Sequence, residues 1–134
     1  MKSLKNALLA GASVIALSVG TQALAATFNY TGGIETGTIG TTGTYRVTLG
    51  GASGGESRST LGGTGGYVLG DITLTAGDLF EVLVGGNGES GNYAGGGGLS
   101  MFRSGAEIAI AGGGGGGGNR SYGNGGAGGE SRGG

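Results

Sequence analysis

The serines set among glycines are the first residues to weigh for chemistry. Gly51-Ala52-Ser53-Gly54-Gly55 and Gly129-Glu130-Ser131-Arg132-Gly133 both fit G-x-S-x-G, the turn that presents a nucleophilic serine in hydrolases. Such a serine needs a base, ordinarily histidine, and the 134 residues contain none. Gly86-Asn87-Gly88-Glu89-Ser90-Gly91 fits G-x-G-x-x-G, which seats a pyrophosphate on the first turn of a helix. Asn92-Tyr93-Ala94-Gly95-Gly96 follows and cannot make that helix, because each glycine costs about 1 kcal/mol there. The calcium nonapeptide G-G-x-G-x-D begins at Gly85 but has Ser90 where the aspartate belongs.

Other chemistries fail on residue supply. Zinc needs Cys or His, and both are absent. A phosphate-binding loop or a kinase needs a lysine, and Lys2 and Lys5 are the only two. Glu35, Glu56, Asp71, Asp78, Glu81, Glu89, Glu107 and Glu130 are the carboxylates available for glycosidase-type pairing. Their spacing singles out no two, so they read as solvated strand and turn charges. The sequence therefore predicts no catalytic, cofactor-binding or metal site, no cofactor, and no enzyme.

The elements around these residues are β-type. Phe28–Tyr30, Tyr45–Leu49, Ile72–Leu74, Phe80–Val84 and Leu99–Arg103 alternate apolar and other residues, the period of a half-buried strand. Tyr67–Leu69 and Ile108–Ala111 are short apolar runs of the same kind. Thr41-Thr42-Gly43, Ala76-Gly77-Asp78 and Ser104-Gly105-Ala106 carry turn residues. A strand running into a glycine tract recurs at Val47 to Gly51, Val82 to Gly86 and Ile108 to Gly113, and Gly54-Gly55-Glu56-Ser57-Arg58 is repeated at Gly128 to Arg132. No stretch of residues 26–134 has helical periodicity. Collagen is excluded by the absence of proline and of strict three-residue glycine spacing. Tyr93 and Tyr122 lie inside glycine-rich stretches, as tyrosines do in adaptable binding loops, or simply pack locally.

The 40 glycines also fit a second reading, a disordered secreted polymer such as matrix material. Ordering a backbone costs about 1–2 kcal/mol per residue, which a lone tract cannot repay. Extended threefold glycine helices bundled on a β platform can, since each buried amide then finds a partner.

The N-terminus reads as an export signal. Lys2 and Lys5 precede the uncharged run Ala7 to Val19, and Ala23-Leu24-Ala25 is a small-x-small cleavage site. The run is shorter than the roughly 20 residues of a spanning helix. The organisation predicted is a signal peptide at 1–25 and a glycine-rich β domain at 26–134. Removing the leader leaves five arginines against eight acids, a net charge of −3. That balance predicts no nucleic-acid partner, and the lack of a second apolar run predicts no stable membrane insertion after signal cleavage.

Thr31-Gly32-Gly33-Ile34-Glu35-Thr36, Thr42 to Gly55, Gly65 to Gly70, Ala76 to Gly86, Gly95 to Leu99 and Ile108 to Gly118 together resemble the glycine-rich domain of the anaplastic lymphoma kinase and leukocyte tyrosine kinase receptors. The resemblance covers most of residues 26–134. It implies a β framework carrying packed polyglycine helices on a secreted or cell-surface protein, with a later closing strand beyond Gly134. It is to the ectodomain module alone, without the receptors' cysteines or kinase lysine, so a kinase label would be family transfer. The fold expected is all-β, a small sandwich or jelly-roll-like sheet framework with glycine tracts packed as polyglycine-II-type helices. The function expected is a non-enzymatic structural or recognition module, secreted or at the cell surface, with a protein or glycan ligand. An ectodomain fragment of a receptor-like protein is the further alternative.

Overall fold

The computed structural model describes residues 15–19, 24–119 and 123–133, with side chains for 26–119 and 123–129. The described residues form strands and no helix, as the apolar alternation requires. The strands are β1 (Ile15–Val19), β2 (Leu24–Phe28), β3 (Ile34–Thr38), β4 (Gly43–Gly50), β5 (Tyr67–Leu74), β6 (Leu79–Leu83), β7 (Ser100–Ser104), β8 (Glu107–Ala111) and β9 (Glu130–Gly133). One sheet has the order β2-β1-β4-β5 and the other β3-β6-β7-β8-β9. Every recorded pairing is antiparallel.

Alternation decides which side of each strand is buried. Tyr45, Val47 and Leu49 on β4, Phe80 and Val82 on β6, and Phe102 on β7 are buried. Together with Phe28, Val68, Leu74, Ala109 and Ala111 they make one core cluster. Three rings form its centre: Phe28 meets Phe80 edge-on at 5.8 Å, and Phe80 stacks on Phe102 at 6.2 Å. A Cβ at Gly37 would run into the Phe80 ring, which explains a glycine inside β3. Gly77 and Gly105 turn the chain between β5 and β6 and between β7 and β8 with φ of 94° and 58°, a conformation that favours glycine.

Several boundaries differ from the sequence reading. Tyr67–Leu69 and Ile72–Leu74 are one strand, β5, running straight through Gly70-Asp71. β3 was hidden because Ile34-Glu35-Thr36-Gly37-Thr38 has a single apolar residue, and pairing with β6 supplies what the side chains do not. Asn29 and Tyr30 lie beyond β2. Glu130–Gly133, which reads as the tail of a glycine tract, pairs with β8 as β9. Within the apolar run Ala7 to Val19, Ile15–Val19 is β1, seated between β2 and β4. The Ala25–Ala26 bond lies inside β2, while 1–14 and 20–23 fall outside the described residues.

The glycine tracts leave the sheets in three out-and-back excursions, each joining neighbouring antiparallel strands. Tracts I (51–56) and II (61–66) join β4 to β5, III (85–90) and IV (94–99) join β6 to β7, and V (112–118) and VI (123–129) join β8 to β9. The tracts bond to one another through their backbones, and the bonds recur every third residue. Gly51 and Gly54 N–H donate to the carbonyls of Gly66 and Gly63, Ala52 and Gly55 to those of Gly98 and Gly95, and Gly114 and Gly117 to those of Ala52 and Gly55. All of these lie between 2.8 and 3.0 Å.

The full pairing is that of two offset layers, III–I–II and IV–V–VI. Tracts I and V, the middle members, each bond to four neighbours. Around tract V, a Cβ at Gly113 or Gly116 would meet tract IV, one at Gly114 tract II, and one at Gly112 or Gly115 tract VI. A Cβ at Gly117 would meet Thr60 and Leu61, so from Gly112 to Gly117 every direction is occupied and the positions are glycine. In tract I, Cβ positions at Gly51 and Gly54 face tract V and that at Gly55 faces Glu89. The third direction is left for real side chains, Ser53 and Glu56. Buried Ser100 ties the two halves: its hydroxyl donates to Gly50 O at 2.8 Å and accepts from Gly85 N–H at 3.0 Å, where tracts I and III begin.

Candidate functional site

The far ends of the three excursions come together away from the sheets. Two of these ends are the turns 57–60 and 90–93, and the third is seen at Asn119 and Gly123, because 120–122 lie outside the described residues. The tracts fix the spacing of these turns, and side chains then lock them. Ser57 and Thr60 hydroxyls converge on Gly118 O and on each other, with 2.7 Å from Ser57 to the carbonyl and 2.8 Å between the hydroxyls. With one hydrogen each, they make two of those three bonds at a time. Leu61 N–H donates to Asn124 Oδ1 at 2.9 Å, bracing the first turn on the third. Glu56 N–H donates to Ser90 Oγ at 3.0 Å, and Gly91 N–H donates to Glu56 O at 3.0 Å, bracing it on the second.

Between the first and second turns lies an open cleft of about 510 Å³ lined by Glu56, Ser57, Arg58, Ser90, Gly91 and Asn92. Tyr93, which follows Asn92 in the chain, has 87% of its surface in solvent, and Leu61 is 60% exposed. The cleft offers an acid, a guanidinium, an amide and hydroxyls, next to a bare aromatic face. These groups can hydrogen-bond and stack against a ligand.

The motif residues of the sequence have structural employment. In G-x-G-x-x-G, Gly88 N–H bonds to Ser53 O, Gly86 O accepts from Gly98 N–H, and tract IV rather than a helix follows. Ser53 of the first G-x-S-x-G lies on tract I with its hydroxyl 3.4 Å from Asn87 Oδ1. Ser131 of the second is on β9, paired in register with Ile110. Asp71 is ion-paired with Arg46 at 2.9 Å, Glu81 with Arg103, and Asp78 accepts from Thr75 N–H at 2.9 Å to close its turn. Among the described residues no three His, Cys, Asp or Glu gather as a metal site.

Burial pushes the Tyr45 phenol above its ordinary range, and the phenol donates to Thr41 O at 2.6 Å. Asp71, by hydrogen bond and by charge, holds the Arg46 guanidinium more firmly protonated. Both residues belong to the sheets and not to the tip.

Sequence reading singled out Tyr93 here, and Tyr122, which lies outside the described residues. It weighed Glu56 only as one of eight carboxylates and Ser90 only as a motif position, and it missed Arg58 and Asn92 because each alone is an ordinary loop residue. The available signal was compositional: the glycine run of every excursion is broken at its midpoint by similar residues, Glu56-Ser57-Arg58, Glu89-Ser90-Gly91-Asn92-Tyr93 and Asn119-Arg120-Ser121-Tyr122. Among the described residues no helix is long and apolar enough to cross a membrane. No known protein family, curated protein or solved structure matches this chain.

Proposed function

We propose that the chain is an exported, non-enzymatic recognition module. In this reading its two sheets form a sandwich, its tracts are polyglycine-II helices, and its tip loops bind a protein or glycan outside the cell. The observation that carries it is the three-residue spacing of hydrogen bonds linking all six tracts. A threefold extended helix repeats at that interval, and a bundle of such helices is a stiff base for loops. Binding residues concentrate on loops held by rigid scaffolds, and the tip groups polar side chains with an exposed tyrosine as binding loops do. The resemblance to receptor ectodomain modules points the same way, and the leader sequence supports export.

The test uses the exported chain and an immobilised panel of extracellular polysaccharides and surface proteins. N-terminal sequencing should begin at Ala26. At least one probe should bind, and a variant carrying Arg58→Ala, Asn92→Ala and Tyr93→Ala should lose that binding while keeping its sheet circular dichroism. Equal binding by the variant would remove the tip from the account. An exported chain that still begins at Met1 would remove the cleaved leader.

A further inference from the structure

We propose that export opens a one-strand slot in the first sheet, and that this slot accepts an extended strand from another protein. The proposal rests on the cleaved leader of the preceding reading. β1 is an interior strand: Ile15–Val19 pairs with Phe28–Leu24 on one side and with Leu49–Tyr45 on the other. Cleavage after Ala25 removes β1 and the first two residues of β2, and leaves Ala26, Thr27 and Phe28 as the far wall.

β4 then loses half of its ladder. Its other edge is held by β5 from Gly43 to Gly50, but its β1 edge has free N–H and C=O groups along Tyr45–Leu49. An unpaired edge is a template for another strand, and strand addition draws its affinity from those main-chain bonds. The remaining wall is anchored against closing the gap. Phe28 is 1% exposed and its ring sits 5.8 Å from Phe80, so moving β2 against β4 would pull that ring from the core.

β1 itself shows what fits. It runs antiparallel to both walls, and its Ile15, Leu17 and Val19 stand in register with Leu49, Val47 and Tyr45, all buried. The occupant is therefore apolar at alternate positions. One further feature sets a preference. Thr27 Oγ1 is buried without a hydrogen-bond partner among the described residues. Its register partner is Ala16, which also stands opposite Thr48. Alanine offers nothing to a hydroxyl. A serine or threonine at that position would partner Thr27, as Thr–Thr pairs do across strands.

The experiment uses the exported chain and an end-blocked peptide of residues 13–20. Without peptide, the β4 amides on the β1 edge should exchange rapidly. With peptide they should become protected. A peptide with Ala16→Thr should bind several-fold more tightly, and one with Leu17→Asp should not protect. If the exported chain is unfolded alone, the peptide must restore its sheet signal. Edge amides already protected without peptide, or unchanged with it, would overturn the proposal while leaving the leader reading intact. An exported chain that retains residues 1–25 would overturn the leader reading itself, and the slot with it, because β1 would fill it.

Discussion

The two halves of this molecule are held by opposite means. In the sheets the backbone ladder is ordinary and the core is made by large side chains, with Tyr45, Leu49, Val82 and Phe102 at most 1% exposed. In the tracts side chains are nearly absent from the interior, and neighbouring backbones bond directly. The first half gains from apolar burial, about 25 cal/mol per Å². The second gains about 0.5–1.5 kcal/mol per hydrogen bond against an ordering cost of about 1–2 kcal/mol per residue. Those two figures nearly cancel. Tracts of this kind therefore need both ends fixed in advance, and each excursion is fixed by a pair of adjacent antiparallel strands. The sheets can stand without the tracts more readily than the tracts without the sheets.

The comparison can be broken from the sheet side first. Phe102→Ala removes the ring stacked on Phe80 and should cost about 3–5 kcal/mol. Amide exchange should then accelerate in the tracts as well as in the sheets. Protection surviving in the tracts would show that they do not depend on the core. Gly114→Ala attacks the other half. Its Cβ would be driven into Gly63 O, and overpacking should cost about 1–3 kcal/mol. Tract amides should lose protection while sheet amides keep theirs. Gly126→Ala is the control. Nothing lies within 4 Å of its Cβ, so denaturation should find it neutral, or stabilised by about 0.4–1 kcal/mol through the unfolded chain.

Smaller changes sharpen the boundary. Ser100→Ala removes the two bonds its hydroxyl makes at the junction, to Gly50 O and from Gly85 N–H, each worth about 0.5–1.5 kcal/mol. Its effect in chemical denaturation should come with exchange gains at the roots of tracts I and III. Tyr45→Phe loses only the bond to Thr41 O, about 0.5–1.5 kcal/mol. The same tyrosine gives a pH signature. Its pKa is raised in the folded state by burial, so the folded state holds the proton longer than the unfolded chain. Stability should be full below the unfolded value near about 10 and fall as pH rises through the folded value. The Phe variant should lose that part of the alkaline decline in thermal melts.

Much of the sheet half was legible in the sequence because alternation at Tyr45–Leu49 or Phe80–Val84 is a side-chain signal. β3 and β9 were not, since Ile34-Glu35-Thr36-Gly37-Thr38 and Glu130-Ser131-Arg132-Gly133 join by backbone pairing. The tracts were visible as composition but not as arrangement. Which glycine faces which neighbour depends on where six tracts meet, and seven identical residues in tract V carry no mark of that. The surviving side chains at Ser53, Glu56, Leu61 and Thr64 do carry one, because they recur at three-residue intervals on one outer layer. The tip was the least legible part. Its turns lie far apart in sequence and meet only after the tracts have packed.

A threefold glycine lattice and a loose glycine chain differ in which amides are protected, and site-resolved amide exchange across Gly112–Gly118 separates them. The N–H groups of Gly112, Gly114, Gly115, Gly117 and Gly118 donate to Gly129, Ala52, Gly126, Gly55 and Gly123, and among the described residues those of Gly113 and Gly116 have no acceptor. The account predicts slow exchange at those five donors and fast exchange at Gly113 and Gly116, a three-residue beat within seven identical residues. Uniformly fast exchange, as in a disordered polymer, or protection alternating every second residue, as in a strand, would contradict it.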